Sequence, residues 1–177
     1  MGLEHVEAGK NIPNEFNVII EISSRSVPVK YEVDKQTGVV KVDRFLATSM
    51  IYPCDYGFIP HTLSEDGDPV DVLVVSPFPL FPGAVIQCRA VGMLRMTDES
   101  GKDTKILAVP IDKLTPLYSD VKKPEDLGKE FLATVSHFFS HYKDLEKGKW
   151  VKVDEWANGE VAREEIMASV KRYVPHP

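Results

Sequence analysis

The sequence predicts an α+β fold, a small antiparallel β-barrel with helices packed against its outside. Three observations lead there. Strand-type alternation and β-branched residues fill the first two thirds of the chain. The apolar period changes to that of a helix in the last third, and turn signals separate the segments throughout. Many short strands followed by helices are most simply accommodated by a barrel with helices outside it. The 177 residues suffice for one domain with a sizeable core, and no repeat, low-complexity tract or linker divides them, so residues 1–177 are read as a single domain.

Each element has its own local reason. FNVIIEI (16–22), VKYEV (29–33) and VVKVDRF (39–45) combine β-branched residues with alternation, and the last two are joined by the hairpin-type connection DKQTG. VDVLVV (70–75) is a core-type strand. PFPLFPG (77–83) is irregular, because three prolines punctuate it. AVIQCRAVGMLRM (84–96) reads as one long or bent strand, residues 97–104 as a turn, and KILAVP (105–110) as the returning strand. Pro124 and Glu125 mark a helix start. Phe131, Val135, Phe138 and Tyr142 then share one helical face until Gly148 stops the run. KWVKV (149–153) is a short strand, and Asn158 caps a final helix in which Ile166, Val170 and Tyr173 share a face.

Composition excludes several classes. No run of 18 apolar residues is present, so no membrane span is expected. The N-terminus lacks a basic start and an apolar core, and Val6 stands where a myristoylation signal needs Ser or Thr. Cys54 and Cys88 lack metal-type spacing and are expected to be buried free thiols, which points to the cytoplasm. A net charge of −6 argues against a nucleic-acid binder, whose footprint is usually basic.

The stretch EDGDPVDVLVV (65–75) places four carboxylates within seven residues, directly before a core strand. An acidic turn is ordinarily just solvated. Here Pro69 stiffens the loop, so Asp66, Asp68 and Asp71 are held near one another. Two like charges about 4 Å apart repel by roughly 4 kcal/mol at an effective dielectric of 20. Partial burial therefore calls for raised pKa values or for cations, and hard divalent metals take such oxygen ligands. The EF-hand pattern does not fit, because counting from Asp66 puts Val70 at position 5.

A second acidic turn, MTDESGKDTK (96–105), carries Asp98, Glu99 and Asp103, and Gly101 permits a reversal that faces Asp98 towards Asp103. Asp103 and Lys105 share a strand face by the period of two, as do Lys30 and Glu32. Arg44, Tyr52, Tyr56, Tyr142 and Lys143 complete a set of carboxylates, cations and phenols suited to metal-assisted phosphoryl chemistry.

These residues resemble the soluble inorganic pyrophosphatases of the first family in their short bacterial form. DGDPVDV (66–72) fits that family's signature, and IIEI, KYE, DRF, YPCDYGFIPHTL, MTDESGKD and HFFSHYKDLEKGKWVKV extend the likeness over roughly residues 5–170. The resemblance implies a five-stranded OB-like barrel with two main flanking C-terminal helices. It implies Mg2+-dependent hydrolysis of pyrophosphate to two phosphates, with several ions per site. Metal ligands would be Asp66, Asp71, Asp98 and Asp103, with Glu21 acting through water. Asp68 would be general base on a water or hydroxide bridging two metals. Lys30, Arg44, Lys105, Tyr142 and Lys143 would hold phosphate oxygens, Tyr56 would bond near the nucleophile, Tyr52 would line the pocket, and Glu32 would be an outer-sphere member. A homohexamer, two stacked trimers, is implied as well, with His137 and His141 at or near subunit contacts. Asp55 and Phe58 depart from the frequent Asn and Tyr, and Asp55 adds a charge near Tyr56.

Three other readings compete. An OB-type binder of single strands needs a basic, aromatic groove. A calcium-binding structural protein leaves Lys30, Arg44 and Lys143 unexplained. An enzyme for another phosphoanhydride would want a nucleotide pocket, yet no Walker or Rossmann pattern is present.

Overall fold

In the computed structural model, which describes residues 2–174, the apolar strands close into a ring. The expected 1–177 domain reaches beyond that range at both ends, Met1 and residues 175–177 lying outside the described residues. The strands are β1 (Phe16–Ile22), β2 (Val29–Val33), β3 (Val40–Phe45), β4 (Asp55–Phe58), β5 (Asp71–Val74), β6 (Val85–Asp98), β7 (Gly101–Lys102), β8 (Lys105–Pro110) and β9 (Val151–Asn158). Helices α1 (Lys129–His141) and α2 (Gly159–Arg172) flank them.

The ring runs β1–β4–β5–β8–β6 and back to β1, the five-stranded OB-like barrel of the resemblance. Its seams are antiparallel except one: β5 and β8 run parallel, with Asp71 level with Lys105. That parallel seam is a departure from a purely antiparallel barrel, and it sets two oppositely charged residues side by side at one rim. The β2–β3 hairpin forms its own two-stranded sheet, and β9 extends the barrel along the far half of β6.

Strands β5 and β8 are buried on both faces, which is why they read as continuous apolar runs rather than alternating ones. Val72, Val74, Ile106 and Ala108 point into a cluster with Ala162 and Ile166 of α2. Leu73, Leu107 and Val109 point the other way, into a cluster with Val135, Phe138 and Phe139 of α1 and with Tyr142 just after it. The two helices thus seal opposite flanks.

The elements differ from the sequence expectation at several points, the 97–104 turn among them, where β6 runs on to Asp98 and pairs with β7. The helix start at Pro124 is a short 3-10 turn, Pro124–Leu127; Gly128, at φ +95°, breaks the chain before α1 begins. Helix α1 ends at His141, short of Gly148, because turns rather than helix carry residues 142–148. Strand β9 continues to Asn158, five residues past the expected end, paired to β6 on either side of an irregularity between Leu94 and Met96. Strand β4 has no counterpart in the sequence reading, since Pro53 and Gly57 masked its four residues. Asn158 caps α2 as expected, its side chain accepting from the amides of Glu160 and Val161, while Tyr173 falls just past the helix end in extended backbone.

Candidate active site

The candidate site lies where several barrel elements end on one rim. Register brings the residues there. Asp71 opens β5, Lys105 opens β8 beside it, Tyr56 lies on β4, and Asp98 ends β6. Glu21 comes from β1, and Tyr142 and Lys143 follow α1.

Lys105 is the centre of this constellation. Its ammonium is almost fully buried and donates to Asp71 Oδ2 and Asp103 Oδ1 at 2.5 Å each and to Tyr56 Oη at 3.1 Å. Burial alone disfavours its charge, but Asp71, Tyr56 and Asp103 together push its pKa well above the ordinary lysine range. The carboxyl of Asp103 is raised by burial and by repulsion from Asp71 and Asp98, partly offset by Lys105. Lys143 repeats the motif on the neighbouring side, donating to Asp98 Oδ2 at 2.7 Å. Burial works to raise the Asp98 carboxyl, yet the Lys143 bond and the Ser100 amide hold it below the ordinary range.

The acidic turn is a built structure. The Asp66 carboxylate accepts from the Asp68 amide at 3.0 Å, and the Ser64 amide donates to the Asp68 carbonyl at 2.7 Å. Gly67, at φ +93°, occupies the left-handed conformation that this reversal needs. Burial and the neighbouring Asp103, Asp71 and Asp68 raise the pKa of Asp66. Glu21 is the extreme case. Burial, reinforced by Asp71, pushes it up to about 8, although its Oε1 accepts the Val33 amide at 2.8 Å. Carboxyls raised in this way, gathered at one rim, are a set that added positive charge would relieve.

All-oxygen donors of this kind suit Mg2+ or Ca2+ rather than softer metals. As placed, no three His, Cys, Asp or Glu side chains among the described residues converge tightly enough to form a closed ligand set. The Lys105 ammonium lies between two of the rim carboxylates, 2.5 Å from Asp71 Oδ2 and from Asp103 Oδ1. Asp66, Asp71, Asp98 and Asp103, with Glu21 behind them, are the residues that could hold a metal.

The remaining predicted residues form an outer ring. Tyr52 is buried against Tyr56, with ring centroids 5.4 Å apart, and lies within electrostatic range of Tyr142, Lys105, Asp71 and Arg44. Lys30 and Arg44 face each other across the β2–β3 hairpin. Lys30 donates to Glu32 at 2.6 Å and lies 3.5 Å from Asp43. Asp68 sits on the exposed lip of the turn.

Sequence reasoning missed three neighbours and gave a fourth, Glu99, no role beyond its place in the second acidic turn. Lys35 reaches from the hairpin loop to Asp68 Oδ1 at 3.2 Å. Glu99 lies 3.6 Å from Lys143, Asp43 flanks Lys30, and Glu146 pairs with Arg44 at 3.1 Å. Glu99 and Asp43 adjoin recognised residues and were within reach of a closer reading. Lys35 and Glu146 carry no local signal, because their contacts span loops distant in sequence. Asp55 needs a correction. It does not add its charge to Tyr56: strand alternation turns it away, and it accepts from the Ser24 amide, the Ser76 hydroxyl and the Leu80 amide at 2.6–2.9 Å.

Known proteins match this chain over nearly its whole length. The profile of the family described as "Inorganic pyrophosphatase" matches residues 18–174. The inorganic pyrophosphatase of Salmonella typhimurium is 59% identical over 172 residues, covering 97% of this chain and 98% of that one. The inorganic pyrophosphatase of Escherichia coli K12 is 56% identical over the same span and shares. A solved inorganic pyrophosphatase structure from Coxiella burnetii superposes with a TM-score of 0.92 at 50% identity, covering 96% of this chain and 100% of that chain. With a barrel, a carboxylate rim and a sequence that agree in this way, the chain belongs to the inorganic pyrophosphatase family.

Proposed function

We propose that the protein hydrolyses inorganic pyrophosphate to two orthophosphates at this rim, using several Mg2+ ions held by Asp66, Asp71, Asp98 and Asp103, with Glu21 acting through water. The observation that carries the reading is the buried alternation of carboxylates with Lys105 and Lys143 at one barrel end. Bound Mg2+ neutralises charge on the substrate and makes water more acidic. The chain's own residues do the rest. Lys30, Arg44, Lys105, Tyr142 and Lys143 bind and orient the phosphate oxygens, Arg44 as the planar donor able to grip two of them. Asp68, on the open lip of the turn, takes the proton from the attacking water at a carboxylate oxygen. The new P–O bond forms as the bridging P–O bond breaks, and the leaving orthophosphate departs with the electron pair, drawn by the cations. Tyr56 orients the nucleophile, Tyr52 walls the pocket, and Glu32 keeps Lys30 in place.

The test is phosphate release from pyrophosphate and from ATP, each with Mg2+ and with a chelator. Release from pyrophosphate alone, abolished by chelation, is the expected outcome; equal turnover of ATP would overturn the assignment. We further propose a homohexamer of two trimers, for which the exposed Phe78, Phe81 and Leu145 supply apolar surface. A cytoplasmic setting is supported by Cys54 and Cys88, both free and buried. Nothing in the acidic rim favours a nucleic-acid partner. Among the described residues no helix is long and apolar enough to cross a membrane.

A further inference from the structure

Arg44 is already engaged. Its Nη1 lies 3.1 Å from Glu146 Oε2, and that same oxygen lies 3.3 Å from Lys149 Nζ. The pairing is single-point rather than forked. Arg44 Nε and Glu146 Oε1 are both buried and both lack a hydrogen-bond partner. A guanidinium and a carboxylate that could meet through two parallel bonds meet here at a single ion-pair contact, leaving Arg44 Nε, 3.9 Å from Asp43 Oδ2, and Glu146 Oε1 without a hydrogen bond. Glu146 reaches this position because it lies in the turns after α1, where its amide donates to the Lys143 carbonyl at 2.9 Å. The segment that delivers Lys143 to the site therefore also delivers a carboxylate onto Arg44.

We propose that Glu146 is an internal competitor for Arg44, a specificity-determining residue that masks the guanidinium until a phosphate oxyanion displaces it. The inference rests on the assignment of Arg44 to phosphate binding above. The displaced carboxylate is not stranded, because Lys149 retains it. The incoming oxyanion gains the unmet Nε as well as Nη1. Competition of this kind acts most strongly on a ligand with few other anchors. Pyrophosphate has two phosphoryl groups to spread over Lys30, Lys105 and Lys143, whereas a single orthophosphate has one. Glu146 thus weakens retention of product more than capture of substrate.

The experiment measures orthophosphate binding to the Mg2+-loaded protein by calorimetry, and product inhibition of pyrophosphate turnover, in wild type and Glu146→Gln. Glutamine keeps the size and removes the charge. The variant is expected to bind orthophosphate about three- to tenfold more tightly, with a smaller fall in KM for pyrophosphate. Placed in an Arg44→Gln background, the same change is expected to shift orthophosphate binding by less than about twofold. Glu146→Ala serves as a second variant with the same expected direction, should the glutamine form fail to fold. Unchanged or weaker orthophosphate binding in the folded variant would overturn the proposal, and so would equal tightening without Arg44, which would mark a bulk charge effect. A wild-type protein inactive on pyrophosphate would instead remove the functional assignment, while the binding ratios would still decide the role of Glu146.

Discussion

At the scale of single residues, the candidate site divides into groups that hold one another and one that is left open. Lys105 and Lys143 are each committed to buried carboxylates. Asp68 is different: its side chain is 71% exposed, and among the described residues it pairs with Lys35, itself 53% exposed. An exposed pair of this type contributes little, about 0–1 kcal/mol, so Asp68 is free to act on solvent without dismantling the rim. Asp68→Asn is accordingly expected to leave the thermal midpoint within a degree or two. Steady-state turnover of pyrophosphate at neutral pH should fall on the order of 10²–10⁴-fold. A variant that releases phosphate at the wild-type rate would take the base role away from this residue. The sequence makes the carboxylates and their strand-face relations legible, because Asp103 and Lys105, or Lys30 and Glu32, are two apart. It is silent on Glu146 and Lys35, whose partners are set by how distant loops meet.

At the scale of elements, what positions the site is the parallel seam between β5 and β8 and the short strand β4 beside it. Apolar runs identify β5 and β8 readily, but no local pattern states that they run parallel; that follows from closing five strands into a ring. Strand β4 was illegible for a related reason. Its four residues sit between a proline-containing turn and Ile59–Pro60, and its central Gly57 lowers any strand signal. The structure shows why glycine is there. A Cβ at Gly57 would lie 2.1 Å from the Ile19 carbonyl oxygen of β1, a backbone atom that cannot move aside without parting the β1–β4 seam. Gly57→Ala is therefore expected to destabilise the fold by about 2–4 kcal/mol, read as a lower urea midpoint. It should also lose activity beyond the lost folded fraction, because Tyr56 moves with the strand. An alanine variant with unchanged midpoint and turnover would show that the seam can relax at no cost.

At the scale of the whole molecule, the rim couples chemistry to stability. The chain carries a net charge of −6 and concentrates several carboxyls where burial raises them. Glu21 dominates, moving from 4.5 to about 8. The folded state then holds this proton more tightly than the unfolded state does. Its contribution is fully present below about pH 4.5, declines as pH rises, and is gone above about pH 8. Asp66 and Asp103 act with the same sign, while Asp98, held low by Lys143, acts with the opposite one. The ceiling for Glu21 is on the order of 5 kcal/mol. If the rim holds divalent metal as proposed, the dependence reverses, since metal would bind the ionised carboxylates of the folded rim. Mg2+ at a hundredfold over its Kd adds about 2.7 kcal/mol, or roughly 5–10 °C for a domain of this size. Calorimetric melting between pH 5 and 9 is therefore expected to show a midpoint that falls with pH in chelator. With Mg2+ the gap between the two curves should widen towards pH 8. Glu21→Gln, which can still accept the Val33 amide, should flatten the chelator curve and raise its high-pH end. A metal-free midpoint that climbs from pH 5 to 8 would mean that the rim carboxyls are not the strained groups their burial makes them, and the case for cations relieving them would fall with it.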